Sequence, residues 1–222
     1  RNVPVGHDDQ QGTATVVVAG FMNAVKFTGR KLNQIQVAMI GAGAANIAVS
    51  RVMMAAGVSP GNIIMVDSKG ILHPGRTELK ENFPEKWNMC LKSNREGRTG
   101  GIKEALKGAD ACISMSRPGP GVITPDMIRL MNDDAIVFAC ANPIPEIWPW
   151  EAKEGGAKII ATGRSDFPNQ VNNSLGFPGI FRGTLDAKAK TITDEMCISA
   201  ATELAKLAED RGLKEHYLIP HS

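Results

Sequence analysis

The segment Gly41-Ala42-Gly43 constrains this chain most, because it joins a short apolar run to a stretch of helix formers. Ile35, Val37, Met39 and Ile40 read as a strand, and the alanine-rich run over 44–56 reads as a helix. Glycine at such a turn lets the backbone approach a bound group, because no Cβ stands in the way. The first N–H groups of the helix then face outward, where Gly41, Ala42, Gly43, Ala44 and Ala45 can cradle a pyrophosphate. A second apolar run over 62–66 leads to Asp67, 21 residues beyond Asn46. That spacing suits a carboxylate that accepts hydrogen bonds from the ribose hydroxyls of a dinucleotide. Asn46 holds the pattern's third glycine position, so its side chain has to pack or bond locally. Asp67 opposes a 2′-phosphate and favours NAD, while Ser68, Lys69 and Arg76 are donors that the 2′-phosphate of NADP could use. Taken singly, Lys69 and Arg76 read as a solvated loop face.

The alternation continues. Runs over 111–114, 135–139 and 158–161 read as strands, and 101–107, 125–131 and 145–153 as helices. The implied class is α/β, a doubly wound, mainly parallel sheet of the Rossmann-like, dinucleotide-binding kind, with helices on both faces. Ahead of it, Ala14, Val17, Val18, Phe21 and Val25 share one face of a helix over 10–29. Thr193 is placed to cap a last long helix over 194–207. The charged stretch over 72–100, with Pro74, Pro84 and Trp87, reads as a surface excursion carrying one helix near 77–82. Residues 1–222 read as a single domain without internal repeats.

Composition narrows the function classes. With 222 residues, 43% apolar and 22% charged, the chain can build a sizeable core. A net charge of +2 with interspersed signs gives no polyanion footprint, so a nucleic-acid partner is not expected. Cys90, Cys112, Cys140 and Cys197 form no CxxC pair and read as free thiols of a reducing, cytoplasmic compartment. The apolar stretch over 14–25 contains Thr15 and Asn23 and falls short of the roughly 18 residues of a membrane span. The chain opens on Arg1 and reads as a piece of a longer polypeptide or a processed product.

His7-Asp8-Asp9 precedes the first helix. Asp9 can act as an N-cap with Asp8 beside the helix dipole, or the two acids can serve a hard divalent cation. These residues are also part of a larger pattern. Val5-Gly6-His7-Asp8-Asp9-Gln10-Gln11-Gly12-Thr13-Ala14, Gly41-Ala42-Gly43-Ala44-Ala45, Ser116-Arg117-Pro118-Gly119, Ala141-Asn142-Pro143 and Ala161-Thr162-Gly163-Arg164-Ser165-Asp166 through Asn172-Asn173 occur in that order. Together they resemble the nucleotide-binding half of bacterial and archaeal malic enzymes.

The resemblance implies oxidative decarboxylation of (S)-malate to pyruvate and CO2, with NAD or NADP as hydride acceptor and Mg2+ or Mn2+ as Lewis acid. It makes Asp9 a metal ligand and Asp8 the acid behind it. It also sets Asn142 and Asn173 against substrate or the nicotinamide end, with Asn172 beside them. The family's catalytic Tyr and Lys and its Glu-Asp metal ligands lie upstream, in an N-terminal domain that this chain lacks. Here the only tyrosine is Tyr217 and the only adjacent Glu-Asp pair is Glu209-Asp210. The chain alone is therefore expected to bind dinucleotide and to turn over malate poorly or not at all, and the parent enzyme is expected to form a homo-oligomer. Malolactic enzymes resemble this pattern too, and a non-catalytic dinucleotide-sensing module is the alternative of a different class. Arg117, Arg164 and Asp166 are loop candidates, whereas Trp148-Pro149-Trp150 reads as packing.

Overall fold

A computed structural model describes residues 3–221. One π-helical turn, Asp8–Gly12, runs directly into α1 (Thr13–Phe27). Then follow β1 (Val37–Ile40), α2 (Ala44–Ala55), β2 (Ile63–Asp67), β3 (Gly70–Ile71), α3 (Leu79–Asn82), α4 (Pro84–Lys92) and α5 (Ile102–Leu106). The chain continues through β4 (Ala111–Ser114), α6 (Pro125–Ile128), β5 (Ala135–Ala139), α7 (Pro149–Glu154), β6 (Ala157–Thr162), α8 (Phe177–Asp186) and α9 (Asp194–Asp210).

The six strands lie in the order β3-β2-β1-β4-β5-β6. All pairings are parallel except that of β3, which runs back along β2 with Gly70 opposite Asp67. Val37 stands opposite both Ile63 and Ala111, so β1 is the axis from which the sheet grows in two directions. A sheet wound this way leaves a crevice at the carboxyl ends of β1 and β4, where the direction of winding reverses.

The inner strands read as nearly unbroken apolar runs because both faces are covered, whereas the edge strand β6 exposes Lys158. Val37, Met39, Ile63, Met65, Ile113 and Phe138 pack with α1, α2 and α9, while Ala38, Ile40, Val66, Cys112 and Val137 pack with α5, α6 and α7. Phe138 is fully buried, a contribution of roughly 1.5–3 kcal/mol. Asn23 pins the C-terminal segment to this layer, donating to Ala205 O and Leu218 O at 2.8 Å each. Thr193 caps α9, its Oγ1 accepting from Met196 N–H at 3.3 Å, and the helix runs past 207 to Asp210.

Several expectations need correction. The excursion over 72–100 carries a second helix, α4, and the short strand β3 precedes it. Helix α8 was not foreseen. The helix expected over 145–153 begins only at Pro149, because the preceding carbonyls of Ile144 and Glu146 accept from Gly119 N and Ile123 N of the neighbouring loop. Asp9 does not act as an N-cap: both aspartates lie within the π-turn, which no side chain caps. All four cysteines are free thiols. Among the described residues no helix is long and apolar enough to cross a membrane.

Candidate dinucleotide-binding site

The crevice holds a cavity of about 1280 Å3 lined by Gly41, Ala42, Gly43 and Ala44 at its floor. Gly41 has φ +99°, and a Cβ there would stand 2.3 Å from Met115 O, so only glycine passes this corner. A Cβ on Gly43 would meet nothing within 4 Å, which leaves open space above the turn for a ligand. No side chain caps α2, and the orphan N–H groups of its first turn are the kind of donors that hold a phosphate. Asn46 resolves its departure from the glycine pattern by local bonding. Fully buried, it donates through Nδ2 to Ile40 O at 2.9 Å and Gly41 O at 2.8 Å.

Asp67 and Ser68 line the cavity on the β2 side. Arg76 is not a solvated loop residue, contrary to its reading from sequence: its side chain is only 12% exposed and grips both Asp67 oxygens at 3.2 Å. Its Nε is also paired with Glu78. Lys86 approaches Asp67 to 3.5 Å, and Lys69 N donates to it at 2.9 Å. Burial on its own would raise the Asp67 pKa, but the Arg76 hydrogen bonds, the Lys69 N–H and the charges of Arg76 and Lys86 outweigh it and hold the carboxyl below the usual range. Phe83, Lys86, Gly100 and Gly101 complete this wall and were not anticipated. The Gly100-Gly101 pair was the available signal, with Gly70 φ +124° packed so closely that a Cβ would reach Gly100 O at 2.7 Å.

Across β1, the cavity wall consists of Met115, Ser116, Arg117, Gly121 and Val122. Ala45, already inside α2, and Asn142, beyond β5, do not line it, although both were expected to contact cofactor. Asn142 precedes a cis peptide bond to Pro143 and lies beside Gly163, whose added Cβ would stand 3.1 Å from Asn142 Nδ2.

The π-turn brings Asp8 and Asn173 together, Nδ2 of Asn173 donating to Asp8 Oδ2. Burial and the neighbouring Asp9 charge raise the Asp8 pKa against the opposing Asn173 bond and His7 charge. Asp8 Oδ1 is buried without a hydrogen-bond partner, and a Cβ on Gly12 would come within 2.1 Å of it. Asp9 is exposed. Asn172 uses Oδ1 to accept from Ser174 N at 2.9 Å, capping the turn Asn173–Leu175. Among the described residues no group of three or more His, Cys, Asp or Glu comes together as a metal centre. Among the described residues the aspartates are thus an incomplete ligand set, since a small hard cation needs more oxygen donors than they provide. Glu209 is exposed and paired with Lys26, and Tyr217 lines a separate hollow with Arg211 and His221.

Residues 10–222 match the family described as the malic enzyme NAD binding domain. The chain belongs to that family. A bifunctional malic/malolactic enzyme of Bacillus subtilis is 45% identical over 219 residues, covering 99% of this chain and 52% of the relative. An NADP-dependent malic enzyme of Halomonas elongata is 44% identical, covering 94% and 48%. The crystal structure of Entamoeba histolytica malic enzyme superposes with a TM-score of 0.96 at 49% identity, covering 99% of this chain and 46% of that one. The malic enzyme of Pyrococcus horikoshii gives 0.94 at 52% identity, covering 99% and 51%. The chain thus spans about half the length of these relatives.

Proposed function

We propose that this chain is the dinucleotide-binding half of an enzyme that oxidatively decarboxylates (S)-malate to pyruvate and CO2, and that its preferred cofactor is NAD. The observation that carries the reading is the continuous wall running from Asp67 through the glycine turn to Ser116 and Arg117. It has the length and chemistry for a dinucleotide laid across the switch point, with adenosine on the β2 side. When bound, the nicotinamide supplies the hydride acceptor for C2 of malate. The α2 N-terminus holds the pyrophosphate, and Asp67 faces the adenosine ribose. NAD is favoured over NADP because Arg76, the best candidate for a 2′-phosphate, already spends its guanidinium on Asp67 and Glu78. A 2′-phosphate would have to compete with both carboxylates for it.

In the whole enzyme Asp9 serves as one metal ligand, with Asp8 and its Asn173 bond behind it, and Asn142 and Asn173 lie toward malate. The remaining ligands and the acid and base groups belong to an N-terminal domain outside this chain, so the isolated chain binds cofactor without full turnover. Paired calorimetric titrations with NAD and NADP test the first part. NAD is expected to bind at least tenfold more tightly, and equal or reversed affinity would contradict the Arg76 argument. Normal steady-state turnover of malate by this chain with Mn2+ and either dinucleotide would contradict the second. The name of the Bacillus subtilis relative supports a malolactic reading as well. Product analysis of the full-length enzyme separates them: pyruvate with accumulating NADH, or lactate without it.

A further inference from the structure

The side chain of Glu146 is fully buried and forms no ion pair among the described residues. It lies beyond the end of β5, and its carboxylate closes a gap between two loops. Oε1 accepts from Ser116 N at 2.7 Å and Ser116 Oγ at 3.3 Å, and Oε2 accepts from Ala141 N at 3.1 Å. Backbone bonds from Gly119 N to Ile144 O and from Ile123 N to Glu146 O fasten the same loops to each other. Ser116 is itself part of the cavity wall, so the carboxylate lies one residue behind it.

A carboxylate suits this place because each of its oxygens accepts from a different backbone N–H, which the single oxygen of an amide cannot do, and the cost is a buried charge without a counter-cation. The charge is felt on the adjacent strand: burial first, then the Glu146 charge, pushes up the thiol of Cys112 on β4. The other charges near this end are screened or already paired. Arg117 is exposed, and Arg164 is bonded to Asp166 and to Pro143 O. The least screened charge at the β4 side of the crevice is therefore negative.

On the dinucleotide reading above, on which this inference rests, adenosine occupies the β2 side and the nicotinamide falls on the β4 side. The oxidised nicotinamide ring is a cation and the reduced ring is neutral. We propose that Glu146 biases the site toward the oxidised dinucleotide, holding Ser116 and Ala141 in place while presenting a buried negative charge behind the nicotinamide. A unit charge within about 10 Å, at an effective dielectric of about 20–40, alters the affinity of a cation by roughly four- to fifteenfold.

The test titrates NAD+ and NADH separately into the purified chain and into its Glu146→Gln and Glu146→Asp variants. The ratio of the NADH Kd to the NAD+ Kd is expected to fall about fivefold in Glu146→Gln and to stay near the native value in Glu146→Asp, whatever happens to the absolute affinities. Equal weakening of both ligands in Glu146→Gln would mean that Glu146 only ties the loops together, and overturns the proposal. The native chain gives a second check if the Gln variant does not fold. NAD+ is expected to bind at least as tightly as NADH, and a preference for NADH of tenfold or more overturns the bias. Binding of neither ligand by the native chain defeats the dinucleotide reading itself, whereas binding with an unaltered ratio in Glu146→Gln defeats the electrostatic role alone.

Discussion

At Gly41 one methyl group decides whether the turn can form. Gly41→Ala places that methyl against Met115 O in a backbone conformation that L-residues avoid at about 1–2 kcal/mol. With the clash added, a loss of at least about 2 kcal/mol is expected, read from the urea midpoint, together with loss of NAD binding. Asp67 makes a prediction of another kind. Its carboxyl titrates lower in the fold than in the unfolded chain, so the stability it contributes is complete above the unfolded value of about 3.9 and fades as pH falls through the folded value. The native protein should therefore exceed Asp67→Asn in urea midpoint by a constant margin from neutral pH down to about pH 5. That margin should shrink below about pH 4, and one that persists unchanged into strong acid would refute the Asp67–Arg76 coupling. The sequence revealed the role of Gly41 and the position of Asp67, since both depend on neighbours close in the chain. It pointed to Arg76 only as a donor or a solvated loop residue and did not reveal its pairing with Asp67, nor Lys86 or Glu146, whose partners are chosen by tertiary packing.

Among the elements, β1, β4 and β5 were the most legible, because each is a short, mainly apolar run buried on both faces and bounded by turns. The omissions share a physical origin. β3 has only two residues and no periodicity to detect. α8 begins Phe-Pro-Gly and carries Gly179 and Gly183, poor helix formers held in place by packing of Ile180 and Thr184. α4 begins at Pro84 within a charged stretch and buries only Met89 and Cys90. The loop after β6 depends on one buried side chain, Asn169. It donates to Ile160 O at 3.0 Å and Glu215 O at 2.8 Å and accepts from Leu218 N at 2.9 Å. This anchors the C-terminal segment to the loop that carries Asn172 and Asn173. Asn169→Ala leaves three backbone groups without partners and should cost about 2–4 kcal/mol in urea unfolding. A loss under about 0.5 kcal/mol would show that the segment is held by other contacts.

For the molecule as a whole, the two-sided core and the crevice are one construction: the winding that covers both faces of the sheet also opens the cavity at β1 and β4. Cofactor that binds only the folded chain raises its stability, by about 2.7 kcal/mol at one hundred times Kd. For a chain of this size that corresponds to a rise in melting temperature of about 5–10 °C. NAD is expected to produce it, and NADP at the same concentration a smaller one. No rise with either dinucleotide would contradict the assignment of the crevice.

The side chain that replaces the usual third glycine has a consequence for how capture proceeds. Asn46 locks the corner between β1 and α2 through the two carbonyls it serves, and it does so within the polypeptide itself. The corner is thus set by the polypeptide's own bonds, and a dinucleotide docking there is expected to divert little of its binding energy into ordering it.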